Sequence, residues 1–244
     1  FDMSSNVLDP FAAQNFQSPA TNLGGGMQVI GRNGVNILDE GIVQDGNVIT
    51  LNNSFRDRYI TPNLQNGVFT YSGTDLTIDA QLDSSAGSAF ANAAAQGNTL
   101  SFIAVNDLIT NANIGNPGTG GLNLIAGGNV NNQGTIQYGG DVNILAGGDV
   151  LVNSSIQSSG AGNTSLLAGG NVFTNADILH SGSGNVNLLA VGNIVANADI
   201  QHPGTGNVNL AAGTTIPGYS IIDFPSLAGL NYQQIDHLFC PPVG

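Results

Sequence analysis

The chain has 244 residues, no Lys, three Arg (Arg32, Arg56 and Arg58) and 16 acidic residues, 15 of them Asp, for a formal charge of −13. A polyanion without a basic patch repels phosphate backbones and anionic lipid, which excludes nucleic-acid partners, and no apolar run is long enough to predict a membrane span. Cys240 stands alone, so no internal disulfide forms and the redox compartment is not written in the cysteines.

No signal peptide is visible, and a start at Phe1 reads as a processed protein or a piece of a longer one. Residues 1–26 carry Phe1, Val7, Phe11 and Phe16 among polar residues without a period, and are expected to be an extended amino-terminal arm. Residues 27–96 are expected to hold an amino-terminal cap and irregular first coils. In that stretch Val48-Ile49-Thr50-Leu51 and Val68-Phe69-Thr70-Tyr71 are expected strands. Leu76-Thr77-Ile78-Asp79-Ala80 alternates 24 residues before Leu100 and reads as its equivalent in an earlier coil. Residues 84–96, rich in Ala, Ser and Gly, interrupt the register as an inserted loop or short helix.

Residues 97–216 are the regular part. Six copies of an alternating strand begin at Leu100, Leu122, Val142, Thr164, Val186 and Val208, at offsets of 22, 20, 22, 22 and 22. Strand-type alternation at this period, with no helical segment inside the unit, predicts a parallel β-helix, an all-β solenoid. In residues 186–206, Val186, Leu188 and Ala190 face the interior, Asn187 and Leu189 face out, and Ile194 and Ile200 return inside. The interior columns are Leu108, Val130, Val150, Val172, Ile194 and Ile216, and Ile114, Ile136, Ile156, Ile178 and Ile200. Residues 217–244, with Leu227, Leu230, Ile235, Leu238 and Phe239 at partly helical spacing, are expected to be a carboxy-terminal cap or tail over an otherwise exposed strand edge.

The segment Ala126-Gly127-Gly128-Asn129-Val130-Asn131-Asn132-Gln133-Gly134-Thr135-Ile136, with partners such as Ala146-Gly147-Gly148-Asp149-Val150, resembles the repeats of filamentous haemagglutinin-type exoproteins. The resemblance covers roughly residues 97–216. It implies a right-handed β-helix exported to the cell surface or medium and an adhesive role; the amino-terminal secretion domain of that family is not recognisable in residues 1–96.

Two columns are singled out as structural sites. Asn111, Gln133, Asn153, Asn175 and Asn197 place amides about 4.8 Å apart, where each bonds to the next as a ladder. Ile103, Ile125, Leu145, Leu167 and Leu189 occupy outward positions as an apolar stripe that runs about 20 Å at the inter-strand spacing. A contiguous file of this kind marks a packing or assembly surface, to be covered either by the arm, through Phe11 and Phe16, or by another subunit.

Catalytic and metal residues are expected to be absent. Asp177 and Asp199 stack at a separation of about 5 Å, as retaining glycosidases require, but their column continues as Asn113, Thr135 and Ser155, a polar ladder. His180 and His202 stack with Asn116, Tyr138 and Ser158 at what reads as a solvated corner; with the two Asp they form the one candidate divalent-metal cluster. His237 has no visible partner, and Asp39-Glu40 and Asp45-Gly46-Asn47 suit calcium on charge alone. No cofactor motif occurs. The sequence therefore predicts a secreted or surface-bound structural, adhesive β-helix, not an enzyme, that self-associates into filaments or a layer and has cell-surface glycans as further partners. The alternative is a carbohydrate-active or carbohydrate-binding β-helix.

Overall fold

A computed structural model describes residues 36–39, 42–45, 48–64, 68–116 and 118–213, with backbone alone for 36–45 and 68. The chain winds into a parallel β-solenoid of three sheets, with seven, nine and five strands. The seven-stranded sheet stacks Val68–Gly73, Thr99–Ala104, Leu122–Ala126, Val142–Ala146, Thr164–Ala168, Val186–Ala190 and Val208–Ala212. Each later coil continues through a short strand of the nine-stranded sheet, such as Val172–Thr174, and one of the five-stranded sheet, such as Ile178–His180. Register is kept throughout: Leu100 pairs with Leu122, Leu122 with Val142, Val142 with Thr164, Thr164 with Val186, and Val186 with Val208.

The interior follows from alternation. Leu122, Leu124, Val130, Ile136, Val142, Ile144, Val150 and Ile156 are all fully buried and belong to one continuous apolar cluster. Each coil adds the same aliphatic cross-section to the last, so burial is shared between neighbours rather than gathered around one centre. Tight corners keep successive coils in contact: a Cβ at Gly182 would collide with the Gly160 carbonyl, and one at Gly204 with the Gly182 carbonyl.

The amino-terminal end is built differently. The strands Asn36–Asp39, Ile42–Asp45 and Val48–Leu51 are joined antiparallel, and only the third enters the parallel stack, against Asp75–Ile78. A helical run follows: α-helix Asn53–Phe55, a π-helical turn Arg56–Ile60, and α-helix Thr61–Leu64. Asn52 caps it by accepting from the Ser54 and Phe55 amides at 2.9 and 3.4 Å. Its Phe55 ring packs on Tyr59, Phe69 and Tyr71 with centroids 5.1, 6.2 and 5.3 Å away, and Phe69 in turn meets Phe102 at 6.1 Å. Arg56 is nearly buried here and donates to Asp57 Oδ1, Asn53 Oδ1 and the Gln81 carbonyl.

One expected equivalence is corrected. Leu76 stacks under Leu108 in the nine-stranded sheet, whereas the strand under Leu100 is Val68–Gly73, with Phe69 as its partner. The shift arises from the 3₁₀ turn Ser84–Ala86 and the α-helix Ser88–Ala94, which lengthen this coil where the interruption at 84–96 was read. The arm at 1–26 and the tail at 217–244 lie outside the described residues.

The last described coil contrasts with this aromatic plug. Val208 and Leu210 are 41% and 55% exposed and Val195 is 37% exposed, although their equivalents one coil earlier are buried or half-buried.

Candidate functional site

The apolar stripe is out of solvent in the single chain. Ile103, Ile125, Leu145 and Leu167 are 2%, 0%, 4% and 5% exposed, and only Leu189 is half-buried. They are not part of the interior cluster that holds their strand neighbours Phe102, Leu124, Ile144 and Leu166, as outward positions require. Ser101 and Asn123, on the same outward side, are buried too. Of the two covers expected for the stripe, the arm or another subunit, a second subunit is not what takes these four side chains out of solvent, and the arm lies outside the described residues.

The amide column forms in part. Asn175 Nδ2 donates to Asn153 Oδ1 and Asn197 Nδ2 to Asn175 Oδ1, both at 2.8 Å. Below them Asn153 donates to Asn131 Oδ1 at 2.8 Å, so Asn131 takes the place expected of Gln133, and Asn111 donates to Asp79 Oδ1 at 2.7 Å.

Two further ladders were missed by sequence reasoning. Asp107 accepts from the Asn129 amide, Asn129 from Asp149, Asp149 from Asn171 and Asn171 from Asn193, at 2.6–2.9 Å. Asp141, Asn163 and Asn185 accept in the same way from the amides of Asn163, Asn185 and Asn207, at 2.7–2.9 Å. The signal was present in the Asn or Asp that immediately precedes each of these strands, usually after a Gly: a side-chain oxygen at a corner satisfies the corner amide of the next coil.

The histidine column is corrected from solvated to interior. Asn116, Tyr138, Ser158 and His180 are each at most 2% exposed, because Ile178 and His180 face inward on either side of Leu179. Ser158 Oγ lies 2.8 Å from Thr164 Oγ1, which lies 3.4 Å from His180 Nδ1. The His180 and His202 rings pack edge to face with centroids 4.9 Å apart, and His202 Nε2 donates to the Gly184 carbonyl at 2.7 Å. Burial, and secondarily the neighbouring His202, push the His180 pKa below its ordinary value. Burial likewise pushes the Tyr138 hydroxyl far up. This column is polar side-chain packing inside the solenoid.

Asp177 and Asp199 stay on the exposed surface, away from the imidazoles, and Asp177 Oδ1 accepts from the Asp199 amide at 3.1 Å. The mixed His and Asp cluster is not assembled, and among the described residues no group of three or more His, Cys, Asp or Glu gathers. His237, Cys240 and the side chains of Asp39-Glu40 and Asp45-Gly46-Asn47 lie outside the described residues. Among the described residues no helix is long and apolar enough to cross a membrane.

A groove of about 330 Å³ crosses the outer face of the five-stranded sheet, bordered by Asp83, Gly115, Gln137, Gln157, Ser159 and Ser181. Gly115 stacks under Gln137 and Gln157 and lets Asp83 pack against it, a Cβ there lying 3.0 Å from that of Asp83, and Gln137 donates to Gln157 Oε1 at 3.1 Å. Burial alone would raise the Asp83 carboxyl, but hydrogen bonds from Ser85, Gln81 and Asn113 outweigh it and hold the group below its ordinary value. The groove sets amides, hydroxyls and one carboxylate around the Leu179 side chain, so its lining is mixed, with hydrogen-bonding groups beside a larger apolar part.

No family model matches the chain, and neither a curated protein nor a solved structure shows significant similarity to it.

Proposed function

We propose that this chain is a structural, adhesive segment of an exported surface protein of the filamentous haemagglutinin kind, a stiff solenoid that associates with copies of itself. The observation that carries the reading is the use made of its polar side chains. Asp107, Asn129, Asp149, Asn171 and Asn193, and Asn153, Asn175 and Asn197, spend their oxygens and amides on joining one coil to the next. Columns of this sort reinforce a rod along its length. The charge of −13 keeps such a rod soluble and away from anionic surfaces.

Negative-stain microscopy across a range of protein concentrations tests the reading. Short rods that gather into filaments or sheets as concentration rises are expected; single particles at every concentration would contradict self-association. The groove, with hydrogen-bonding Gln137, Gln157 and Ser159 beside apolar Leu179, supports a second reading, glycan binding without cleavage. Titration with short neutral oligosaccharides, repeated on Gln137→Ala and Gln157→Ala, separates the two, since heat of binding lost in both variants would place a ligand on this face.

A further inference from the structure

The outward apolar residues of the seven-stranded sheet are covered, and those of the nine-stranded sheet are not. In each short strand of the latter the middle residue points out, and pairing stacks Leu151 against Phe173 and Phe173 against Val195. Leu151 and Phe173 are half-buried and Val195 is 37% exposed, whereas Ile103, Ile125, Leu145 and Leu167 are at most 5% exposed at outward positions of the other sheet. Three consecutive apolar residues, with an aromatic ring in the middle, therefore stand open on one flank of the solenoid.

Charge decides what can meet this flank. With −13 on each chain, two copies repel wherever carboxylates face one another. The early coils carry them on this side, Asp75 and Asp107 where strands begin and Asp79 where one ends. Around Leu151, Phe173 and Val195 the corner before the strand holds Asp149, Asn171 and Asn193, and the corner after it Asn153, Asn175 and Asn197. Asp149 is the one carboxylate among these six, and it accepts from the Asn171 amide and Nδ2 at 2.6 and 3.0 Å. Asp177 and Asp199 lie beyond the second corner, toward the five-stranded sheet. A basic partner is drawn to Asp75, Asp79 and Asp107 instead; the neutral, apolar strip suits a second copy of this acidic chain.

We propose that two copies pair through this strip with their rods antiparallel, about a two-fold axis that runs along the strand at Phe173. Equal spacing makes the strip self-complementary: the axis sets Phe173 on the partner's Phe173 and Leu151 on the partner's Val195. Rods pointing the same way would bring Asp75, Asp79 and Asp107 level with their own copies, whereas the antiparallel arrangement carries the early coils to opposite ends of the pair. The apolar centre measures about 10 Å in each direction, well short of the about 800 Å² per partner of a stable interface, so the pairing is weak and depends on concentration. It rests on the self-association proposed above and names the flank through which rods join two by two.

Analytical ultracentrifugation of the full chain at concentrations up to about 1 mM tests the pairing. Phe173→Thr keeps strand propensity, Val195→Glu charges the strip at a side chain that already meets solvent, and Leu179→Thr alters an outward residue of the five-stranded sheet as a control. The unsubstituted chain should dimerise, Phe173→Thr and Val195→Glu should each raise the dimer Kd by about tenfold or more, and Leu179→Thr should leave it within about twofold. The thermal midpoint of Val195→Glu should stay that of the unsubstituted chain, which separates loss of pairing from loss of fold. In a Cys240→Ser background, Leu151→Cys chains mixed with Val195→Cys chains should cross-link to each other in preference to their own kind. Absence of any association in the unsubstituted chain would overturn both this proposal and the self-association it rests on. Association that persists in Phe173→Thr and Val195→Glu, or that Leu179→Thr weakens equally, would overturn the proposal alone, and cross-linking of like with like would overturn its antiparallel geometry.

Discussion

The two ends of the described solenoid are made of different materials. At the amino-terminal end Phe55, Tyr59, Phe69, Tyr71 and Phe102 form a chain of ring contacts under a helical run, and the Val48–Leu51 strand is reached through antiparallel pairing. Toward the other end the interior is Val, Ile and Leu repeated coil by coil, finishing in exposed Val208 and Leu210. The difference follows from translation. An interior coil meets a similar neighbour on each side, so the aliphatic columns repeat one kind of side chain, while the buried column of Asn116, Tyr138, Ser158 and His180 varies from coil to coil. An end meets none, and filling its cross-section takes bulky side chains in an arrangement that does not repeat.

The largest expected effect comes from opening the plug. Phe55 touches three other rings and is fully buried, so Phe55→Ala should cost about 3–5 kcal/mol in urea unfolding and expose the first coils to proteolysis before the later ones. If the first coils stay protected, the aromatic cluster is not what closes that end.

Next in size is the covered stripe on the regular coils. Leu167 is 5% exposed on the outward side of its strand, and Leu167→Thr, which keeps strand propensity, should lose about 1.5–3 kcal/mol of burial. An unchanged thermal midpoint would mean that this side chain is solvated in solution and that the stripe is an accessible face after all.

In the histidine range, acid should act on the late coils and spare the plug, whose described titratable side chains do not include a histidine. His180 is buried and its folded pKa is depressed, so in the range below about 6.5, the ordinary histidine value, the unfolded chain binds a proton that the folded chain does not. The stability it contributes is complete above about 6.5 and is lost as pH falls from there through the folded pKa. His180→Ser, which copies Ser158 one coil earlier, should flatten this part of the stability–pH curve; an equally steep curve in the variant would remove His180 as its origin. The smallest effect belongs to the exposed ladder: Asn175→Ala breaks the bonds to Asn153 and Asn197 and should cost about 0.5–1.5 kcal/mol, measured against Gln133→Ala as a control outside the ladder.

The regular coils were legible because stacking makes each position answer to the same neighbours: Leu122, Val142 and Val186 announce one column, and the register is as read. The plug was not, because its contacts join Phe55 to Phe69 and Tyr71 across segments without a period. Leu76 was misaligned for the related reason that an inserted helix changes the coil length, and only pairing with Leu108 reveals it. At the site level, stacking of His180 over Ser158 could be read, and alternation from Ile178 would have turned it inward had the strand been extended by one residue. The outward direction of Ile125 and Leu145 was readable as well; that they are covered is a tertiary fact which alternation does not contain.

Native-state hydrogen exchange of the unsubstituted full chain in increasing, sub-denaturing urea compares the two ends most directly. A linear array anchored by an aromatic plug opens in steps: amides of Leu100, Val142 and Val186 should show opening free energies that decrease in that order, with the late coils fraying first. A single opening free energy shared by all three would describe one cooperative globule, and an order running the opposite way would put the stable end where Val208 and Leu210 lie exposed; either result contradicts the account.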